Sequence, residues 1–161
     1  MLLLAEGEKI EISQLKQAVK LKTLGYFGHV TDHIDLATCT EMGIVVFDSV
    51  KSQPTNKTFI ARRMADFINS GTTHMSVNFP NLRLPKIEQS HRLIHIHKNV
   101  PGIMAKITKV LARHEINIVA QFLMTNAQIG YVITDIDTQY DKTLIKELRK
   151  VENTLKFRVL Y

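Results

Sequence analysis

RLIHIHKNVPGIMAKI, residues 92–107, changes its hydrophobic period partway along. Arg92 to His97 alternates, with Ile94 and Ile96 on one side and Leu93, His95 and His97 on the other, the period of a half-buried strand. Asn99 then reads as an N-cap, and Pro101 falls in the first turn, where its missing N–H is harmless. Ile103, Ile107, Val110 and Leu111 form one apolar helical stripe. Downstream, Ile116 to Met124 and Ile129 to Ile136 read as strands joined by the turn-like TNAQ at 125–128. Asp141 caps a further helix with Leu144, Ile145 and Leu148 inward, and Leu155 to Leu160 closes as a last strand. The order is βαββαβ over residues 91–161: an α+β, ferredoxin-like split βαβ sandwich with both helices on one face of an antiparallel sheet. In that plan Ile94 and Ile96 face the helices, and His95 and His97 face the uncovered side.

Upstream the signals are weaker. From residue 15, an amphipathic helical piece, a strand around Leu24 to Val30, a helix from Asp35 to Met42 and the strand GIVVFDSV (43–50) suggest an incomplete α/β fragment. Residues 49–57 are polar and contain Pro54. FIARRMADFINSG (59–71) forms one short helix with Ile60, Met64, Phe67 and Ile68 on a face and Gly71 past its end. VNFPNLRLPKIEQSH (77–91), with two prolines and little periodicity, reads as an extended connector. The expected organisation is a partial α/β fragment at 1–48, a linker with one short helix at 49–90, and the βαββαβ domain at 91–161.

Composition bounds the function without naming it. The chain has 161 residues, 45% of them hydrophobic, enough for a core. Its 21 Lys and Arg against 15 Asp and Glu give a formal charge of +6, which permits anionic partners without requiring one. Cys39 stands alone, so no internal disulfide forms; a buried, inert thiol in a reducing, cytoplasmic setting is expected. The opening MLLLAEGEKIEI is too short in apolar residues for a signal peptide, and no stretch approaches the ~20 apolar residues that span a bilayer, so no membrane association is expected.

Several chemistries can be weighed at the two histidines. A metal would need a third and fourth ligand, and His91 and His114 offer themselves only by composition. RNA recognition on a sheet of this order relies on aromatics of the central strands, and Ile129 to Ile136 carries only Tyr131, so no nucleic-acid partner is expected. A dinucleotide site would need G-x-G-x-x-G, whereas GYFGHV (25–30) spaces its glycines G-x-x-G. Asp32, His33 and Asp35 could be drawn as a carboxylate and imidazole group, but at a strand-to-helix junction such residues ordinarily cap. A small-molecule pocket uses the junction itself: a helix N-terminus presents free N–H groups to a carboxylate, His97 and Asn99 stand beside it, and Asn117 is polar among Ile116, Ile118 and Val119. Solvated histidines, with Asn99 only capping and Asn117 only ending a turn, remain the plain alternative.

HIHKNVPGIMAKI (95–107), INIVAQFLMTNAQIGYVITDID (116–137) and RVLY (158–161) resemble the C-terminal ACT domain of the bacterial D-3-phosphoglycerate dehydrogenase family. ARRMADFINSGTTHMSVNFPNLRLP (61–85) resembles that family's last cofactor-domain helix and connector, and LKTLGYFGHVTDHIDLATCTEMGIVVFDSV (21–50) a piece of its substrate domain. In that family the Gly-rich NAD loop and the catalytic Arg, Glu and His lie between these pieces, where this chain has only the polar stretch around KSQPTNK (51–57). The turn that reads Gly-Thr-Asn in the family is Val30-Thr31-Asp32 here. The resemblance therefore implies an internally deleted dehydrogenase with no NAD-binding domain, no cofactor and no dehydrogenase activity. It also implies an L-serine-binding regulatory domain, the effector (or a related small amino acid) held by His97, Asn99 and Asn117 between two ACT domains paired as a homodimer. Two alternatives are a module that pairs with the ACT domain of an intact dehydrogenase and a non-functional gene fragment.

Overall fold

A computed structural model describes residues 1–29, 33–50, 57–85 and 87–161. The turn at 30–32, Asp32 included, and nearly all of the 51–57 stretch lie outside the described residues. The chain divides into two compact units, Met1–Leu84 and Pro85–Tyr161. No described helix is long and apolar enough to cross a membrane.

The first unit alternates strand and helix: β1 (Leu2–Leu4), α1 (Ile12–Gln17), β2 (Thr23–Tyr26), α2 (Leu36–Glu41) and β3 (Val45–Asp48). The strands are parallel in the order β1-β2-β3, as connections through helices require. β1 carries no alternation and is too short to read from sequence; pairing of Leu2–Leu4 with Leu24–Tyr26 makes it a strand. Leu15 of α1 and Cys39 of α2 join Leu4, Leu24, Tyr26 and Val46 in one core. The opposite side is covered by α3 (Lys57–Ser70), expected in a linker and found instead against β2 and β3. Gly25 allows that approach, because a Cβ there would lie 2.6 Å from both Ile60 Cγ2 and Met64 Sδ. Gly71, at φ 77°, ends the helix as expected.

The segment expected to be an extended connector closes an edge. Asn78 Oδ1 accepts from Val46 N at 2.9 Å and its Nδ2 donates to Ile44 O at 2.9 Å, while Val77 N donates to Val46 O. The outer side of β3 is thus paired rather than bare.

The second unit is β4 (His91–Lys98), α4 (Ile103–Arg113), β5 (Ile118–Thr125), β6 (Ile129–Ile136), α5 (Lys142–Arg149) and β7 (Thr154–Val159). The order β5-β6-β4-β7, all antiparallel, is the expected ferredoxin-like sandwich. α4 and α5 bury Ile103, Ile107, Val110, Leu111, Leu144 and Leu148 on the sheet. The sheet residues in that core are Leu93, Ile136 and Phe157, and this corrects the assignment of faces. Leu93 shares its side of β4 with His95 and His97, so the histidines face the helices and Ile94 and Ile96 face away. Both sets are buried, so alternation located the strand without telling its two sides apart.

Candidate functional site

His97 lies one residue before the end of β4 and is 1% exposed. Its Nδ1 is 2.7 Å from Lys98 O. A carbonyl can only accept, so Nδ1 carries the proton, and in the neutral ring Nε2 is a bare acceptor. That Nε2 is buried and has no hydrogen-bond partner among the described residues, a state that raises the energy of a polar atom unless something occupies the site. Register sets His97 beside Gly130, and Gly130 beside Thr125 of the outer strand.

The chain then leaves the strand over the β5–β6 turn. Asn99 N donates to Gln128 O at 3.0 Å, and Asn99 Nδ2 donates to Asn126 O at 2.8 Å. Asn126 closes that turn, its Oδ1 accepting from Gln128 N and Ile129 N at 2.9 Å each. Asn99 is therefore not the N-cap that its residue type suggested. The cap is Gly102, at φ 80°, with no side-chain capping bond, and Pro101 stands outside the helix. The first turn of α4 therefore has no side-chain cap. His97 Nε2 thus offers a buried acceptor, and the Asn99 side chain, its Nδ2 on the β5–β6 turn, keeps an amide oxygen that can accept.

Asn117 is elsewhere. It immediately precedes β5, exposed, and its Nδ2 donates to Asp137 Oδ2 at 2.8 Å. That bond, with one from Thr138, holds the Asp137 carboxyl below its ordinary range. Ile118 pairs with Ile136, which pairs with His91, so Asn117 sits at the far end of the sheet from His97, about 20 Å away at ~3.3 Å per strand residue. Within one chain His97 and Asn99 stand at one end of the sheet and Asn117 at the other.

His95 is a core residue rather than a solvated one. Its Nε2 is 2.6 Å from Thr154 Oγ1 and its ring stands edge-on to Phe157 at 5.5 Å. Burial, then the neighbouring His97, lowers its pKa to about 4, so the ring is neutral at physiological pH. Tyr131 is fully buried and offers no stacking surface. Among the described residues no three His, Cys, Asp or Glu groups gather as metal ligands. Asp35 caps α2 through Thr38 N at 2.7 Å, and His33 stacks on Tyr26. Cys39 is buried and its thiol is pushed up to about 12 by that burial. Gly130 and Asn126 escaped the sequence reading, although a glycine inside a strand is itself a signal of close approach.

Residues 93–156 match the family model described as AHAS small subunit-like ACT domain. Residues 1–57 match that of the D-isomer specific 2-hydroxyacid dehydrogenase catalytic domain. D-3-phosphoglycerate dehydrogenase of Haemophilus influenzae is 39% identical over 102 residues, 63% of this chain and 25% of that protein. The Dictyostelium discoideum enzyme of the same name is 43% identical over 98 residues, 61% of this chain and 24% of that protein. The chain spans about a quarter of the length of the curated relatives it matches. Among solved structures, the ACT domain of GTP pyrophosphokinase from Chlorobium tepidum aligns with a TM-score of 0.40 at 22% identity, covering 44% of this chain and 96% of that one. The chain is thus similar to D-3-phosphoglycerate dehydrogenases over 63% of its length, its first 57 residues matching a 2-hydroxyacid dehydrogenase catalytic-domain model and residues 93–156 an ACT-domain model.

Proposed function

We propose that the second unit is an L-serine-binding regulatory ACT domain that works as a homodimer and has no dehydrogenase activity of its own. The observation that carries this reading is His97 Nε2, a buried acceptor with no partner among the described residues, two positions before Asn99 in the chain and ahead of an α4 that starts without a side-chain cap. L-serine has an ammonium and a hydroxyl to donate and a carboxylate to accept, matching that set.

The position of Asn117 supports a shared pocket. β5 is the outer strand, and Val119, Phe122, Leu123 and Met124 on it are 41–46% exposed, an apolar edge open to another strand. Antiparallel pairing of two β5 strands centred near Gln121 would carry the partner's Asn117 to the level of Thr125, next to the turn that holds Asn99. Each dimer would then have two pockets, each built from both copies.

Dehydrogenation through NAD is not supported by the residues present. The sequence has no G-x-G-x-x-G, and the N–H of Gly28, after β2, is already given to Ser49 Oγ at 2.8 Å.

Calorimetry of the full chain with L-serine tests the proposal. Saturable heat is expected, weakened in Asn99→Ala and in Asn117→Ala; wild type and both variants responding alike at millimolar serine would count against it. The exposed edge of β5 also favours a second reading, pairing with the ACT domain of an intact D-3-phosphoglycerate dehydrogenase. Co-purification of the two chains, lost on Phe122→Lys, is its test.

A further inference from the structure

We infer that Gly130 is a positioning residue for the site proposed above: the absence of a side chain there sets the direction in which His97 presents its open nitrogen. This rests on that reading for its link to ligand binding, but its structural half does not.

Gly130 is interior to β6, flanked by the buried Ile129 and Tyr131, where glycine is a poor choice for a strand. Its φ is not in the left-handed range, so the backbone does not require glycine. Space does. A Cβ on Gly130 would fall 2.2 Å from His97 Cε1, 2.5 Å from Nε2 and 3.0 Å from Nδ1. The imidazole therefore lies across the glycine, and what a methyl would meet is a rigid ring rather than the free end of a flexible chain. The ring cannot step aside cheaply, because Nδ1 is tied to Lys98 O. Any side chain at 130 must break that bond, turn the ring, or push β6 from β4. The first two exchange or redirect the acceptor at Nε2.

The experiment is a double-variant cycle in the full chain, read three ways. Gly130→Ala is expected to lower the Tm in the wild-type background, yet to leave it unchanged or raise it when His97 is already Ala, because the clash is gone. Long-range nitrogen–proton NMR of His97 is expected to show a protonated Nδ1 in wild type and to lose that signature in Gly130→Ala. L-serine affinity is expected to fall about tenfold or more in Gly130→Ala, as for loss of a buried hydrogen bond. Should Gly130→Ala fail to fold, recovery of folding by His97→Ala supports the inference, and a double variant that also fails overturns it. Equal Tm losses in both backgrounds, or an unchanged His97 signature, would likewise overturn it. If wild type binds no L-serine, the functional proposal fails, while the cycle and the NMR signature still decide the role of Gly130.

Discussion

Arg92 and Asp135 face each other across β4 and β6, with Nε to Oδ1 at 2.7 Å and Nη2 to Oδ2 at 2.6 Å, a bidentate pair without exposure to solvent. Nη2 also donates to Pro85 O at 2.8 Å. Arg92→Met would strand the Asp135 carboxylate and is expected to lower stability by about 3–5 kcal/mol, whereas replacing both residues with well-packed apolar ones should recover most of it, as urea unfolding can measure. His95 gives a pH prediction. Its folded pKa of about 4 lies below the ordinary 6.5, so the unfolded chain takes up a proton first. The stability that comes from keeping it neutral is present above pH 6.5 and declines as pH falls towards 4, by up to roughly 3 kcal/mol. Denaturant titrations from pH 7 to 4.5 should show this slope, reduced in His95→Gln. Neither role was legible in the sequence. Arg92 and Asp135 look like two ordinary surface charges until register sets them opposite one another, and HIH reads as polar alternation when it is a core strand whose far side is also buried.

The elements of the second unit were largely legible, because each carries its own period and its own punctuation. β6 runs over the expected residues, and α5 begins at its Asp141 cap, which accepts from Leu144 N at 2.8 Å. Leu148 is 1% exposed in the core below α5, and Leu148→Ala is expected to destabilise by about 2–5 kcal/mol in thermal or urea unfolding. The start of α4 was misread by residue type. Asparagine is a favoured cap, but the Asn99 amide is taken by the β5–β6 turn, a partner too distant in sequence to be seen. Gly102 turns the chain instead, and a Cβ there would meet nothing within 4 Å. Gly102→Ala should therefore lower stability through backbone strain alone, by about 1–2 kcal/mol, with the helix content by circular dichroism unchanged.

At the scale of the molecule, the first unit is held by contacts that no local pattern announces. The apolar stripe of α3 was legible, but its target, the side of β2 around Gly25, was not; nor was the clasp of Asn78 on β3. The second unit supplies a test of assembly. Asn99 and Asn117 stand at opposite ends of one sheet. If each pocket draws on two copies, then mixing Asn99→Ala chains with Asn117→Ala chains should restore full-strength serine binding to one pocket per mixed dimer, although each variant alone binds weakly. A receptor divided between copies in this way would respond to its own abundance as well as to that of the amino acid. Dilution would empty it at constant serine, and serine would in turn hold the two copies together.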